Sequence, residues 1–247
     1  FGMGTNGSRS TVLGGSALYG AAEKVIAKGK RIAGHLLEAG EQDIQFADGT
    51  FKVAGTDKSV SLKQVAMAAF NPTKLPKGFE GGLYENATFL GEKDTYPNGC
   101  HICEVEVDPD TGEVRLERYA VVDDVGTVMN PTGLKGQIHG GVAQGVGQIL
   151  SEHVVWDRES GQLLTASFLD YAMPRADTMC SMEVKSNPVP TKYNPLGAKG
   201  AGEAGTVGAM PAVMNAVLDA VAPLGVRDVA MPATAQNVWR AIQQAKK

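Results

Sequence analysis

The sequence predicts an α+β fold in which helices pack on hairpin-rich sheets of mixed or antiparallel strands. Two observations support this prediction. Apolar residues recur at helical spacing in several long segments, and most strand-like segments occur as neighbouring pairs joined by a tight turn. Hairpins placed between helices are typical of α+β folds, whereas a doubly wound parallel sheet needs strands that alternate regularly with helices.

The first α/β segment is expected at residues 1–70. Apolar residues at helical spacing predict a long helix within 12–37, whose start could bind phosphate. Alternating apolar residues around Asp48-Gly49 predict a hairpin with a two-residue turn at that dipeptide. Residues 61–70 predict a short helix that begins from a serine cap.

The rest of the chain divides into an irregular connection and a longer folded segment. Residues 71–99 are rich in proline and glycine, so we expect a connection or domain boundary there. Residues 100–247 form the second folded segment. Its expected elements are, in order, a hairpin over 100–126, a glycine-rich helix over about 132–151, a second hairpin over 154–165, a strand within 181–190, a long helix from Ala204, and a last helix capped by Thr234.

Composition excludes several classes of function. A net charge of −4 argues against a nucleic-acid or anionic-membrane partner, and no apolar run approaches the ~20 residues of a membrane span. Three cysteines are too few for a disulfide scaffold, and Cys100 and Cys103 would point to opposite faces of a strand, so we expect no metal site from them. The N-terminus lacks the features of an export signal, so we expect a cytoplasmic chain that begins within a domain.

Glycine is unusually frequent, with 31 of 247 residues against a usual ~7%. Residues 200–205 have the spacing G-x-G-x-x-G, which in many proteins cradles the pyrophosphate of a dinucleotide. Glu203 lies inside this stretch, where its negative charge would repel a phosphate. A dinucleotide fold would also need further strand–helix units, and the residues after Gly205 predict two helices instead. We therefore disfavour a phosphate loop.

Two interpretations of Glu203 stay open from the residues alone. In the first, the glycines clear space so that the backbone and the carboxylate can crowd a bulky ligand. A helix that begins at Ala204 would then favour the ionised carboxylate, burial would oppose it, and a base poised near neutral pH would result. In the second, Glu203 is only a favourable residue for the start of a helix.

Two other glycine-rich stretches each allow two interpretations. Residues 4–17, GTNGSRSTVLGGSA, place Arg9, hydroxyls and glycines at a helix start, either to bind phosphate or as a polar cap with close helix packing. Residues 136–148, GQIHGGVAQGVGQ, put five glycines and three glutamines in a helix. They serve either tight packing of two helices or a polar, uncharged cofactor ring. His139 alone is more often a structural histidine than a ligand.

Together, these stretches resemble a known family. The order of GSRST and GGSA before a long helix, GQIHGGVAQGVGQ, and AKGAGEAG before another helix is similar to the C-terminal part of the molybdenum-binding large subunit in the xanthine dehydrogenase, aldehyde oxidase and aerobic carbon monoxide dehydrogenase family. The stretches FLDYAMPRA and MPATAQNVWRAI resemble bacterial members, and the resemblance runs over the whole chain. It implies the C-terminal molybdopterin-binding domain of a molybdenum hydroxylase, with residues 100–247 carrying a catalytic glutamate loop.

The resemblance also implies the site residues. Glu203 matches the catalytic glutamate, and Gln137 matches a glutamine that hydrogen-bonds the pterin. Gly200 and Ala201 would line the molybdenum, with Lys199 adjoining them. The residues that would hold the phosphates of the cofactor are Arg9, Ser10, Thr11, Gly14, Gly15 and Ser16. No side chain of this chain is expected to ligate the molybdenum, which the pterin holds.

The activity implied by the resemblance is hydroxylation of a carbon centre with oxygen from water. The substrate would be an aldehyde, an N-heterocycle or a CO-like molecule, and the pterin of bacterial relatives carries a cytosine dinucleotide. Electrons would leave through iron–sulfur clusters and FAD on partner subunits. The family's subunit is far longer, so we expect a partner chain that carries its N-terminal part. The alternative is a non-catalytic structural subunit that has lost its cofactor.

Overall fold

The structure, a computed structural model, describes residues 4–246. They divide into two compact units, each with its own apolar core: residues 13–92, and residues 93–246 together with residues 4–12. One division falls inside the connection expected over 71–99. Residues 4–12 belong with the later part of the chain, because they contact the glycine-rich loop near residue 200.

The smaller unit combines two helices with an antiparallel three-stranded sheet in the order β1-β2-β3. Its elements are α1 (Ser16–Leu37), β1 (Ile44–Ala47), β2 (Thr50–Val53), β3 (Ser59–Ser61) and α2 (Leu62–Ala69). A wide π-helical turn, Thr11–Gly15, precedes α1, and short 3-10 turns lie at Glu41–Asp43 and Pro72–Lys74. The predicted long helix, hairpin and short helix are therefore confirmed.

Individual residues explain the tight turn, the helix cap and the close helix–sheet contact of this unit. Asp48 and Gly49 have φ of 48° and 71°, the left-handed pair that a two-residue hairpin turn requires. Ser61 caps α2 through a capping box with Gln64, in which each side chain satisfies the backbone N–H of the other. Helix α1 packs on the sheet at Gly29, where an added Cβ would lie 2.6 Å from the Phe51 ring.

The larger unit has a mixed sheet in the order β4-β5-β6, in which β4 and β5 are antiparallel and β6 is parallel to β5. Its elements are β4 (Asn98–Val107), β5 (Val114–Asp124), α3 (Pro131–Leu150), β6 (Met182–Ser186), α4 (Ala204–Val221) and α5 (Ala235–Ala245). Short 3-10 turns lie at Ala176–Thr178 and Ala222–Leu224. The α+β class and the mixed, hairpin-based sheet are confirmed.

Helices α3 and α4 cross at unusually short range because glycines meet at the contact. An added Cβ on Gly141 would lie 2.9 Å from the backbone nitrogen of Thr206, and one on Gly205 would lie 2.6 Å from the carbonyl oxygen of Ile138. The Thr206 hydroxyl donates to the Gly141 carbonyl oxygen at 3.0 Å. Tight packing of two helices is thus one use of the glycines in residues 136–148.

A buried polar cluster lies between the sheet and α4. His101 Nδ1 is 2.9 Å from the Tyr119 hydroxyl, and His101 Nε2 is 3.4 Å from Asp123 Oδ1. Burial raises the pKa of Tyr119, so its hydroxyl stays protonated. Helix α4 covers the His101 ring at Gly208, where an added Cβ would come within 2.5 Å of it. The start of α4 is therefore held against both α3 and the sheet.

The hairpin predicted over 154–165 is present as an antiparallel turn but not as a pair of regular strands. Its arms make a single β-bridge, Trp156–Leu163. The Asp157 side chain accepts from the backbone N–H groups of Glu159 and Ser160, which closes a compact turn. The apolar side chains of the arms, such as Trp156 and Leu164, are exposed, so no core face holds the arms as strands.

Among the described residues, one helical segment, 204–224, is long and apolar enough to cross a membrane, with a mean hydropathy of 1.5. In the sequence this segment is not a continuous apolar run, because Thr206, Asn215 and Asp219 interrupt it. In the structure its buried residues pack against α3 and β4. Core helices pass the same criterion, so it is weak evidence for a membrane span.

Candidate functional site

The larger unit contains a cavity of about 600 Å³, a volume typical of small-molecule sites. Three segments line it: residues 5–11, the segment from the end of β5 into the first turns of α3, and the loop before α4. The lining residues are Thr5, Asn6, Gly7, Ser8, Ser10, Thr11, Val125, Thr127, Val128, Met129, Asn130, Gly133, Leu134, Gln137, Ala198, Lys199, Ala201, Gly202 and Glu203. The lining combines apolar side chains with hydroxyl and amide groups and two charged side chains, Lys199 and Glu203.

The loop before α4 is tied to the end of β5. Ala198 pairs with Gly126 in an isolated bridge, and the Lys199 backbone N–H donates to the Val125 carbonyl at 2.8 Å. The buried Asn194 side chain bonds both the N–H and the carbonyl of Ala198. These bonds fix the backbone that leads into Glu203.

Asp124 holds this loop through an ion pair with Lys199 and two hydrogen bonds from backbone N–H groups. Its carboxylate accepts from Lys199 Nζ at 2.5 Å and from the backbone N–H groups of Gly126 and Val189 at 2.8 and 2.9 Å. Burial raises the pKa of Asp124, but the hydrogen bonds from Lys199, Val189 and Gly126, together with the charge of Lys199, outweigh burial and lower it. Lys199 therefore faces the cavity with its charge already paired.

The glycines of the G-x-G-x-x-G stretch leave room for neighbouring parts of the protein. Gly200 is buried, and an added Cβ there would lie 2.9 Å from both the Cβ and the carbonyl oxygen of Ser8. One on Gly202 would lie 2.9 Å from Ser8 Oγ, while Gly205 packs on α3. The proposal that all three glycines make room for a ligand is corrected accordingly. They bring residues 4–12 and α3 close to the loop, which leaves the carboxylate of Glu203 at the cavity.

Glu203 occupies the N-cap position of α4, yet its side chain makes no capping hydrogen bond. Instead its Oε2 accepts from Ser8 Oγ at 2.9 Å, and the residue is exposed on the cavity lining. Gln137 Nε2 donates to the Gly202 carbonyl oxygen at 3.0 Å, which links α3 to the same loop. These contacts favour a functional carboxylate over a residue that only starts a helix.

The structure around the G-x-G-x-x-G stretch is not that of a dinucleotide-binding fold. The motif follows β6 by thirteen residues, and within residues 187–246, all of them described, only helices follow and no further strand appears. A dinucleotide fold would place the motif directly between a strand and a helix, with more parallel strands after it.

Most of the predicted site residues meet at the cavity. Ser10, Thr11, Gln137, Lys199, Ala201 and Glu203 line it. Gly200 does not line the cavity but packs against Ser8, which does. Arg9 donates from Nη2 to the Gly4 carbonyl oxygen at 3.2 Å. Gly14, Gly15 and Ser16 belong to the smaller unit, at the start of α1, where Ser16 is buried. The roles of all these residues in cofactor binding stay predictions.

Sequence reasoning missed two residues. Ser8 lies inside the stretch GSRST, but only its neighbours were singled out, and its bond to Glu203 spans 195 positions. Asp124 ends a predicted strand as the second of two consecutive aspartates. An acidic pair at the end of a strand was the signal that could have found it.

The fold and the cavity define a class of protein: an α+β cofactor-binding domain whose site carries one carboxylate suited to acid–base chemistry. The profile of the molybdopterin cofactor-binding domain matches residues 1–180. The chain belongs to this family, that of the molybdenum-binding large subunits of the xanthine dehydrogenase and carbon monoxide dehydrogenase type.

Several relatives are similar to nearly the whole chain. The carbon monoxide dehydrogenase large chain of Hydrogenophaga pseudoflava is 37% identical over 245 residues, and the nicotine 6-hydroxylase large subunit of Paenarthrobacter nicotinovorans is 40% identical over 243. These matches cover 99% and 98% of this chain but 30% of each relative. The reconstituted CO dehydrogenase from Oligotropha carboxidovorans superposes with a TM-score of 0.92 at 36% identity, over 100% of this chain and 30% of that one.

The cavity fits a molybdopterin cofactor by its donor groups. Thr5 and Ser10 share a hydrogen bond of 2.7 Å, and with Thr11 they form a hydroxyl cluster suited to phosphate oxygens. Gln137 on α3 adds a neutral amide to the lining, suited to a polar ring. The chain spans about a third of the length of the curated relatives it matches.

Proposed function

We propose that this chain is part of the molybdenum-cofactor-binding catalytic subunit of an oxidoreductase that hydroxylates a carbon centre with oxygen from water. The observation that carries the proposal is the carboxylate of Glu203. It lies on the cavity lining at the start of α4, makes no capping bond, and is held by Ser8. A carboxylate held in this way is available to accept a proton from a group inside the cavity.

Each residue around the cavity would have a separate role in the reaction. The bound cofactor would supply the oxygen-transfer and electron-accepting chemistry. Glu203 would take the proton from the attacking oxygen and hold it at its carboxylate. Gln137 would hydrogen-bond the pterin, and Ala201 would line the part of the cavity that receives the molybdenum. Gly200, which is buried behind Ser8, would support that wall without lining it. Lys199 would fix the loop through Asp124.

We further propose that the pterin carries a cytosine dinucleotide, whose phosphates meet Arg9 and the hydroxyls of Ser10 and Thr11. Iron–sulfur clusters and FAD on partner subunits would carry the electrons away. The names of the relatives, a large chain and a large subunit, support a multi-subunit complex, and their greater length supports a further region that completes the site. An aldehyde, an N-heterocycle or a CO-like molecule would be the substrate. Cytoplasmic localisation stays a prediction.

The test is the substitution Glu203→Gln in the purified complex. Glutamine keeps the size of the side chain and can still accept the Ser8 hydrogen bond, but it cannot take up the proton. We expect turnover per molybdenum to fall by ~10²–10⁴-fold, the usual contribution of a general base. Molybdenum and pterin content should stay near those of the parent, because the loop backbone is unchanged.

The matched control is Glu183→Gln, an exposed glutamate on β6 that lies 3.5 Å from Lys185. It removes the same charge from the same unit and should leave turnover unchanged. Turnover of Glu203→Gln within about threefold of the parent, far below the general-base range, would contradict the assignment. A parent complex that contains neither molybdenum nor pterin would instead favour a non-catalytic structural subunit.

A further inference from the structure

We infer that the free side of β4 is a docking site for an extended segment of the further region that the longer relatives carry. This segment would join the larger sheet as a fourth strand beside residues 98–103, which we call the docking edge. The inference rests on the proposed function, in which such a region completes the site, and it states where that region attaches.

The first support is the backbone of β4, which has a neighbouring strand on one side only. The strand is ten residues long, lies at the end of its sheet, and within residues 4–246 makes no backbone hydrogen bond to any element besides β5. The side chain of His101 is only 6% exposed, yet the residue as a whole is half-buried, because its backbone is open. About every second N–H and C=O of such a strand points away from the sheet and can pair with another strand.

The second support is the composition of this edge. Edge strands that stay free are commonly very short, or carry lysine, proline or a bulge. β6, at the other end of the same sheet, is five residues long and includes the exposed Lys185. The docking edge contains neither lysine nor proline, and the irregularity of β4 comes only after it, between Glu104 and Val105. These residues therefore lack the features that keep an edge unpaired.

The third support is an apolar patch beside the docking edge, on the sheet face opposite the one that α4 covers at His101. Four side chains of neighbouring pairs form it: Cys100, Ile102, Ala120 and Val122. Ile102 is 64% exposed and Val122 is 43% exposed. The next pair along the strands is charged, with Glu104 and Arg118 3.8 Å apart. A strand added to β4 would place alternate side chains beside the patch, so the fitting occupant is an extended segment with apolar residues on that face.

The position of the docking edge identifies the occupant. Asn98 pairs with Asp124, so this edge lies at the end of the sheet where β5 leads into the cavity lining. Asp124 also pairs with Lys199 on that lining. This chain covers 30% of each of two matched relatives, and the region without a counterpart here is the one proposed to complete the cavity. A segment of that region can cover the docking edge and stay continuous with the cavity wall that it adds.

The first experiment measures amide hydrogen exchange over residues 98–103 in the purified complex. If a strand covers the edge, every N–H group of this segment bonds to one neighbour or the other. We then expect each to exchange ~10²-fold or more slowly than unstructured backbone. In a free edge about half of these groups would exchange at the unstructured rate, and that result would overturn the inference.

The second experiment identifies what covers the edge. A photoreactive p-benzoylphenylalanine is placed at Ile102, whose exposed side chain makes no contribution to the core, and mass spectrometry sequences the cross-linked peptide. We expect a peptide of the molybdenum-binding subunit from outside residues 1–247. A cross-link to residues 1–247 of a second copy, to another subunit, or to nothing would show that this occupant is wrong.

The matched control places the same probe at Glu183, an exposed residue of β6 that shares the sheet face of Ile102 through their common neighbour Ala120. It lies two strands from the docking edge and should not cross-link to the same peptide. The same peptide from both positions would indicate a surface contact across the sheet face instead of an added strand, and would count against the inference.

This inference and the proposed function fail separately. A protected edge with the expected cross-link, in a complex where Glu203→Gln keeps parental turnover, would retain the docking edge and reject the proposed base. A freely exchanging edge, in a complex where Glu203→Gln abolishes turnover, would reject the docking edge and retain the base.

Discussion

Substituting Gly141 by alanine tests whether the helix crossing positions the loop that carries Glu203. Gly141 lies on α3 where this helix meets α4, and an added Cβ would lie 2.9 Å from Thr206 N and 3.0 Å from Gly205 Cα. Both neighbours are backbone atoms, so no side chain can rotate away. The helices must separate by several tenths of an ångström, and α4 carries Glu203 at its start.

The magnitude follows from a comparison with the adjacent residue. Gly140 is exposed on the same helix, and an added Cβ there meets nothing within 4 Å. Both substitutions gain the helix propensity of alanine over glycine, about 1 kcal/mol. Only Gly141→Ala adds the cost of overpacking, typically ~1–3 kcal/mol. The propensity gain cancels between the two variants, so the free energy of unfolding should differ by ~1–3 kcal/mol in favour of Gly140→Ala.

Thermal unfolding of the two purified variants, at matched cofactor content, measures this difference, and amide hydrogen exchange in α3 and α4 locates it. We also expect turnover per molybdenum to fall in Gly141→Ala, because the carboxylate moves with its helix. If Gly141→Ala is as stable as Gly140→Ala and equally active, the close crossing does not position the site and the reasoning is refuted.

Two further predictions concern the charged residues. The pKa of Asp124 is lowered in the folded state, so the stability it contributes is present above the ordinary carboxyl pKa and is lost as pH falls through the lower folded value. Asp124→Asn should therefore lower the unfolding temperature at neutral pH and flatten its decline in acid; an unchanged acid profile would show that Asp124 contributes little. Arg9→Ala should lower the molybdenum content, since loss of a charge-assisted phosphate contact removes ~1.5–3 kcal/mol. The exposed Arg227→Ala is its control, and equal occupancy in both variants at matched purity would reject a phosphate contact for Arg9.

Local signals made much of the fold predictable. The Asp48-Gly49 turn, the serine cap of α2 and the start of α4 after Glu203 each depend on a few consecutive residues, and all are as expected. The hairpin over 154–165 forms its antiparallel turn, but its arms are not regular strands, because a local turn does not by itself extend into a ladder. Strands also need a core face to pack on, and the arms around Trp156 have none.

The sequence could indicate Glu203 as a candidate site residue, but it could not indicate the long-range hydrogen bonds around Glu203 and its loop. Glu203 could be singled out because a charge inside a glycine motif is unusual. The bond from Ser8 to Glu203 joins residues 195 positions apart, and the pairing of Lys199 with Asp124 joins residues 75 apart. Nor can spacing tell whether glycines make room for a ligand or for protein, and here Gly200 and Gly202 make room for Ser8.

The parallel pairing of β6 with β5 places the cavity at one end of these strands and the excursion over 151–181 at the other. Because the two strands run in the same direction, the segments that follow them leave the sheet together, and both line the cavity. The long excursion over 151–181 instead enters the sheet at the opposite end of β6, where Met182 pairs with Tyr119. The register of β6 against β5 begins only after this excursion, at Met182. A change of length within 151–181 would therefore alter the surface at that end of the sheet and leave the opposite strand ends, which lead to the cavity and Glu203, in place.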